Sequence, residues 1–336
     1  MLRKLIALSL MATFLCSLVG CKEKDADLLG NYRAKDSVVQ QDVGAMAEAS
    51  YAPLLTQFFV CNIEPEMLSK DYVFDEAQPD RKGCAFVINR TENKLVFGSR
   101  MDELFFPASI TKLMTALVVM RHTKPDDKVV ITKEIAAMKR GSVVDLEEGD
   151  VLTVHDLLMC MLISSANNAA FALAQHVAGS EQDFVKMMNG EMTKLGGTTT
   201  KFMNASGLHD DKHKTTPYDM YIVYQECMTY ADFRDIMKIT KAKYNYTDAN
   251  GAQRSREVVT TNCFKLNNAS KSYPYPNGIV ILGGKTGTTT YAGYCMLMHI
   301  RNSLGTEYII GVYRAETEAK LYEKLNDLMS TYCVGE

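Results

Sequence analysis

The order of apolar patterns along this chain predicts an α/β (α+β) domain in which one sheet, assembled from distant segments, is covered by helices. Two observations carry that expectation. Strand-like runs stand at both ends of the patterned region, near 84–97 and again over 278–313, while the stretch between them is dominated by helical periodicity. Composition agrees with a globular chain: 336 residues, 47% apolar and 23% charged, with 21 Gly and 8 Pro, exclude disordered, collagen-like and repeat architectures. With 37 basic against 40 acidic residues and a net charge of -3, there is no basic field to hold a nucleic-acid backbone. No nucleic-acid partner is expected.

At the N-terminus, Arg3 and Lys4 precede an apolar run over 5–19 that is too short for a comfortable membrane span. Residues 1–20 therefore read as a signal peptide. The Leu18-Val19-Gly20-Cys21 that follows resembles the lipobox of bacterial lipoproteins, which implies cleavage before Cys21 and acylation of its sulfur. At roughly 0.8 kcal/mol per buried CH₂, several acyl chains hold a domain on a bilayer without a spanning helix. Residues 21–75 then form a lipid-anchored tether and 76–336 the folded domain, with the apolar knot Leu54-Leu55-Thr56-Gln57-Phe58-Phe59 near their junction. The expected location is the outer face of the cytoplasmic membrane, or the periplasm.

Within the domain, Cys84-Ala85-Phe86-Val87-Ile88-Asn89 and Lys94-Leu95-Val96-Phe97 flank a polar turn and read as a hairpin. Apolar residues at 110, 113, 114, 117 and 118 make 109–120 a helix buried on most of its surface. Thr153 and Asp156 form a capping box for a helix over 153–163. Further helices are expected over 168–178 and over 181–195, the latter closed by Gly196-Gly197. Strands follow at 278–282, 294–300 and 308–313, and a last helix at 317–329.

Nine Cys suggest a disulfide framework until they are placed one by one. Cys16 leaves with the signal and Cys21 is acylated, leaving an odd set: Cys61, Cys84, Cys160, Cys227, Cys263, Cys295 and Cys333. Cys160, Cys227 and Cys295 lie in apolar segments, so we read these residues as mostly free thiols. There is no C-x-x-C pair, and no metal or cofactor is expected.

Three short motifs carry chemistry. Ser109-Ile110-Thr111-Lys112 sets a hydroxyl and an amine one helical turn apart, and Lys becomes a base for Ser once desolvation or a nearby cation depresses its pKa. Such an S-x-x-K arises by chance about once in a chain this long, as does the S-x-N of Ser165-Ala166-Asn167. Taken alone, each reads as a helix cap or a turn. Lys285-Thr286-Gly287 is rarer; it is not a phosphate loop, because Ile279 stands where that loop needs Gly and a strand rather than a helix follows.

In the order S-x-x-K, S-x-N, K-T-G, the three form the motif set of penicillin-binding proteins and class A β-lactamases. Over about 85–328 the chain resembles the low-molecular-weight penicillin-binding proteins that act as serine D-alanyl-D-alanine carboxypeptidases. The likeness extends to Pro107-Ala108, Gly141-Ser142, Asn168-Ala169, Asn204-Ala205-Ser206-Gly207-Leu208-His209 and Tyr291-Ala292-Gly293-Tyr294. It implies a β-lactamase-like fold with a central antiparallel sheet and an all-helical subregion. It also implies removal of the terminal D-alanine from peptidoglycan stem peptides through an acyl-enzyme, and covalent inhibition by β-lactams.

By the same resemblance Ser109 is the nucleophile, Lys112 its base and Ser165 a proton relay. Asn167, Lys285, Thr286, Gly287 and Thr288 bind substrate, with the backbone N–H groups of Ser109 and Thr288 as oxyanion hole. Two departures stand out. Asn168 replaces the family's usual acid, and the chain ends soon after the last helix of the domain, so the lipid at Cys21 is expected to replace a C-terminal anchor. A β-lactamase would need an E-x-x-x-N carboxylate, which 191–211 lacks. A zinc peptidase through His209 and His213 lacks H-E-x-x-H. The remaining alternative is an idle peptidoglycan-binding lipoprotein.

Overall fold

The computed structural model describes residues 83–197, 199–266 and 273–335. The signal-peptide, lipobox and tether expectations, with Cys21 and Cys61, lie outside the described residues.

The expected hairpin is present. Strand β1 (Cys84–Asn89) pairs antiparallel with β2 (Lys94–Ser99), and Asn93 takes the left-handed conformation (φ 52°) that Asn tolerates in a turn. From the far end of the chain come β7 (Val280–Thr289), β8 (Gly293–Arg301) and β9 (Glu307–Ala315). The sheet runs β2-β1-β9-β8-β7 and every neighbouring pair is antiparallel. β7 is thus an edge strand, with one row of backbone groups not taken up by the sheet.

Between these ends lie α1 (Lys112–His122), β3 (Lys128–Val130), α2 (Lys133–Ala137), β4 (Val151–Thr153), α3 (Val154–Ile163), α4 (Asn167–Ala178) and α5 (Glu181–Lys194). They are followed by α6 (Pro217–Cys227), α7 (Ala231–Lys238), β5 (Lys241–Thr247) and β6 (Gln253–Val259). Helix α8 (Glu318–Tyr332) closes the domain. The Thr153 hydroxyl accepts from Asp156 N as the capping box requires, and Gly196 ends α5 with φ 91°.

The expectation of a single sheet is corrected: β3, β4, β5 and β6 form a second antiparallel sheet in that order. Its first two strands are only three residues long, too short to show a period. β5 did carry a legible alternation, since Tyr244 and Tyr246 are buried while Lys241, Lys243 and Asn245 are exposed. The strand over 278–282 also extends further than expected, through the whole of Lys285-Thr286-Gly287.

The five-stranded sheet separates two apolar layers. On one face Ala85, Val87, Met296, Met298, Ile310 and Val312 pack with Leu321, Leu325, Leu328 and Met329 of α8. Residues of opposite parity face the helical region, where the Phe86 ring meets Tyr221 of α6 edge-on at 5.9 Å. Every residue of α1 from Lys112 to Val119 is buried, so this helix is a rigid interior post. Its first turn, the α3–α4 junction and edge strand β7 are the three parts that hold the motif residues.

Candidate active site

Ser109 departs from the expected uniform helix. Ala108–Thr111 form a 3-10 turn, closed by Ile110 N donating to Pro107 O at 3.1 Å, and the α-helix begins only at Lys112. Residues i and i+3 eclipse in such a turn, which aligns Ser109 with Lys112. The Ser109 hydroxyl is not used as a cap. Ala108 holds φ 47°, sparsely populated for a residue with a Cβ, and strain of this kind needs surrounding structure to hold it. Gly207 (φ 83°) supplies some of that support: a Cβ there would lie 1.7 Å from Ala108 O, so only Gly lets this backbone press against the turn.

Lys112 is fully buried, and its Nζ lies 2.9 Å from Ser109 Oγ, 2.7 Å from Asn167 Oδ1 and 2.6 Å from the Ser206 carbonyl. The Asn167 amide is oriented by its Nδ2 donating to Arg140 O at 2.8 Å, which leaves Oδ1 as a pure acceptor. Burial, with the charge of Lys285 as a second cause, holds the Lys112 amine well below the usual lysine pKa. A neutral amine has two N–H groups and one lone pair. In that form Asn167 Oδ1 and Ser206 O, which can only accept, take both N–H groups and leave the lone pair toward the Ser109 hydroxyl.

Lys285, also fully buried, lies 2.9 Å from Ser165 Oγ and donates to Thr286 O at 2.9 Å. Burial brings its pKa down to about 7. Ser165 sits at the α3–α4 junction with φ 61°, another non-glycine left-handed residue beside a motif side chain. Two lysine–serine pairs thus face one cleft, one from α1 and one bridging the junction to β7. Gly287 brings β7 against the Ser109 turn, where a Cβ would stand 2.8 Å from Pro107 O and 3.1 Å from Ile110 N. The Thr286 hydroxyl is 2.5 Å from that of Thr261, and Thr288 is exposed on the edge strand.

All eight expected catalytic and substrate-binding residues therefore lie on the three segments that converge here. Others went unassigned in the sequence. The Ser206 carbonyl holds Lys112, and Asn204 Oδ1 shapes that loop by accepting from Gly207 N at 2.7 Å and Ser206 N at 3.2 Å. The string Asn204-Ala205-Ser206-Gly207 was visible, but a backbone carbonyl leaves no mark in composition. Asn168, in place of an acid, brackets Val144 by accepting from its N–H at 3.1 Å and donating to its carbonyl at 2.7 Å. An amide can serve both groups, whereas a carboxylate could only accept.

His209 and His213 do not converge on a metal. His213 Nδ1 accepts from Met203 N at 3.3 Å, so its Nε2 donates to Thr111 Oγ1 at 2.9 Å, and burial brings its pKa down to about 4. Among the described residues, no group of three or more His, Cys, Asp or Glu could hold a metal ion. The six described cysteines are buried free thiols.

In sequence, the chain is 36% identical over 217 residues to D-alanyl-D-alanine carboxypeptidase DacF of Bacillus subtilis, covering 63% of this chain and 52% of that protein. It is 32% identical over 219 residues to D-alanyl-D-alanine carboxypeptidase DacC of Escherichia coli, covering 62% and 50%. The chain thus spans about half the length of these curated relatives. In structure, it superposes on the crystal structure of a Streptomyces DD-transpeptidase with a TM-score of 0.66 at 24% identity, covering 73% of this chain and 94% of that one. That likeness places the antiparallel sheet and its helices in a DD-transpeptidase-like α+β fold. The sequence pattern of the Peptidase S11, D-alanyl-D-alanine carboxypeptidase, group matches residues 74–316, and the chain belongs to this family.

Proposed function

We propose that this chain is a serine D-alanyl-D-alanine carboxypeptidase that cuts the terminal D-alanine from peptidoglycan stem peptides. The observation that carries the reading is a fully buried Lys112 amine, its pKa held well below the usual lysine range, 2.9 Å from the Ser109 hydroxyl. Lys112 takes the hydroxyl proton as Ser109 Oγ bonds to the carbonyl carbon between the two D-alanines. The bond to the leaving nitrogen then breaks, and the proton taken up by Lys112 passes to that nitrogen through Ser165, which Lys285 holds at 2.9 Å, so the Lys112 amine is neutral again. Water, deprotonated by the same amine, cleaves the ester and restores Ser109.

Asn167 holds the substrate amide, and the peptide adds alongside edge strand β7 with Gly287 permitting close approach. The Thr286 hydroxyl receives the terminal carboxylate. The N–H groups of Ser109 and Thr288 stabilise the oxyanion. A β-lactam mimics the scissile amide and traps the ester.

We further assign 76–336 as the catalytic domain, a boundary supported by the family match beginning at residue 74. The lipobox at Cys21 supports an exported lipoprotein with 21–75 as its tether. No helix among the described residues is long and apolar enough to cross a membrane.

Ser109→Ala should lose both labelling by a fluorescent penicillin and D-alanine release from a defined pentapeptide while keeping its circular dichroism. Since that hydroxyl caps no helix, stability should change by less than about 1 kcal/mol. Labelling retained at another residue would overturn the reading.

A further inference from the structure

Three aromatic side chains from separate segments meet at the rim beside Ser109. Phe106 stands three residues before the nucleophile, His209 two residues after Gly207, and Tyr291 in the turn between β7 and β8. His209 lies flat on Tyr291, with ring centroids 3.7 Å apart and planes 10° from parallel. Phe106 meets His209 edge-on at 4.9 Å and Tyr291 at 6.3 Å, and Lys214 Nζ sits over the Phe106 ring at 5.0 Å. Asp211 lies 3.2 Å from His209 Nε2.

The cluster ties the loop that supports Lys112 to the end of strand β7. Tyr291 nevertheless remains 63% exposed. One side of its ring is fixed by His209, and the rest stays open as a rigid aromatic surface just beyond the end of β7. An aromatic surface held in place loses little entropy when a second flat or apolar group stacks on it.

The orientation of a bound peptide follows from β7. The strand passes Ser109 at Gly287, and the donors suited to a carboxylate, Lys285 and Thr286, lie on one side of that point. A substrate whose C-terminal carboxylate lies toward those donors runs its upstream residues past Thr288 toward Tyr291. The ring therefore stands on the acyl side of the scissile bond.

We propose that Tyr291, seated on His209, is a specificity-determining residue that stacks on the substituent of the acyl group. It favours substrates and β-lactams with a flat or apolar group there. This inference rests on the carboxypeptidase reading.

Benzylpenicillin, which carries a phenylacetyl group on its amine, and the bare aminopenicillanic nucleus separate the two. Both acylate by one step: the Ser109 Oγ–C bond forms, the lactam C–N bond breaks, and the hydroxyl proton passes to the nitrogen. The substituent is the only variable. The ratio of second-order acylation rates, benzylpenicillin over the bare nucleus, should fall about fivefold in Tyr291→Ala. Tyr291→Phe should keep the wild-type ratio, and His209→Ala should fall part of the way as the ring loses its seat. An unchanged ratio in Tyr291→Ala, whether or not both rates drop together, would overturn the inference and leave the carboxypeptidase reading standing. Acylation of the wild type by neither compound would overturn both.

Discussion

Lys112 and Lys285 are isolated from water by the same burial but act on different partners, and each makes a separate prediction. Lys112→Arg puts a permanent cation at the position and removes the neutral base, because a guanidinium is not deprotonated in proteins. Stopped-flow acylation by a penicillin should therefore fall to the level of Lys112→Ala, and a rate near wild type would show that the site uses charge rather than a lone pair. Lys285 adds a thermodynamic consequence. Its pKa is about 7 in the folded chain against an ordinary 10.5, so between those values the unfolded state holds a proton that the folded state lacks. Stability from this group is complete above 10.5 and is lost as pH falls through 7. The buried thiols oppose this at higher pH: Cys84, Cys295 and Cys333 are pushed up to about 12 from 9.0, so the stability they carry declines as pH rises past 9. From pH 7 to about 8.5 the lysine effect should stand clear. Urea denaturation should show wild type gaining stability over that window relative to Lys285→Met, and parallel curves would refute the assignment.

At the scale of elements, the site depends on a loop pressed against a strained turn. Gly207→Ala must both hold φ 83° and clear Ala108 O, so the backbone of the Ser109 turn has to move. A displacement near 1 Å costs on the order of 100-fold in rate, and penicillin acylation should fall by about that much in a chain that still folds. Gly179→Ala is the control. At φ 75° with nothing within 4 Å of its Cβ, it strains the end of α4 and should cost about 1 kcal/mol in urea denaturation without slowing acylation. Equal loss of acylation in both variants would mean that general destabilisation, and not the contact with Ala108, is responsible. These elements also show what could be read from residues alone. The hairpin, the Thr153 cap and the helices flanking Ser165-Ala166-Asn167 rest on local patterns, and all are where those patterns place them. Some features were not legible: the Ser206 carbonyl on Lys112, the 3-10 form of the Ser109 turn, and the three-residue strands β3 and β4, which pair with each other and which β5 joins about 90 residues later. Thr216, Pro217 and Asp219 do spell a helix start, capped through Asp219 N.

For the whole molecule, the folded domain and its place in the cell are separable questions, because the residues that would anchor the chain are not those that build the site. The anchor rests on Leu18-Val19-Gly20-Cys21 and on the polar stretch over 22–51, which lie outside the described residues. A polar stretch of about 30 residues reaches roughly 30 Å as a flexible coil and about 100 Å when extended, enough to lift a catalytic domain off a bilayer toward the wall. If Cys21 carries acyl chains, the protein should partition into the detergent phase and mass spectrometry should find a lipidated Cys21 as the first residue. Cys21→Ser should move the protein to the aqueous phase or leave its signal uncut, while penicillin acylation of the solubilised domain is maintained, since the motif residues all belong to the turn, junction and strand between residues 109 and 288. An aqueous protein from the native host with an unmodified N-terminal Cys21 would refute the lipoprotein assignment and leave the chemistry of Ser109 untouched. Loss of acylation in Cys21→Ser would instead mean that the anchor and the site are coupled.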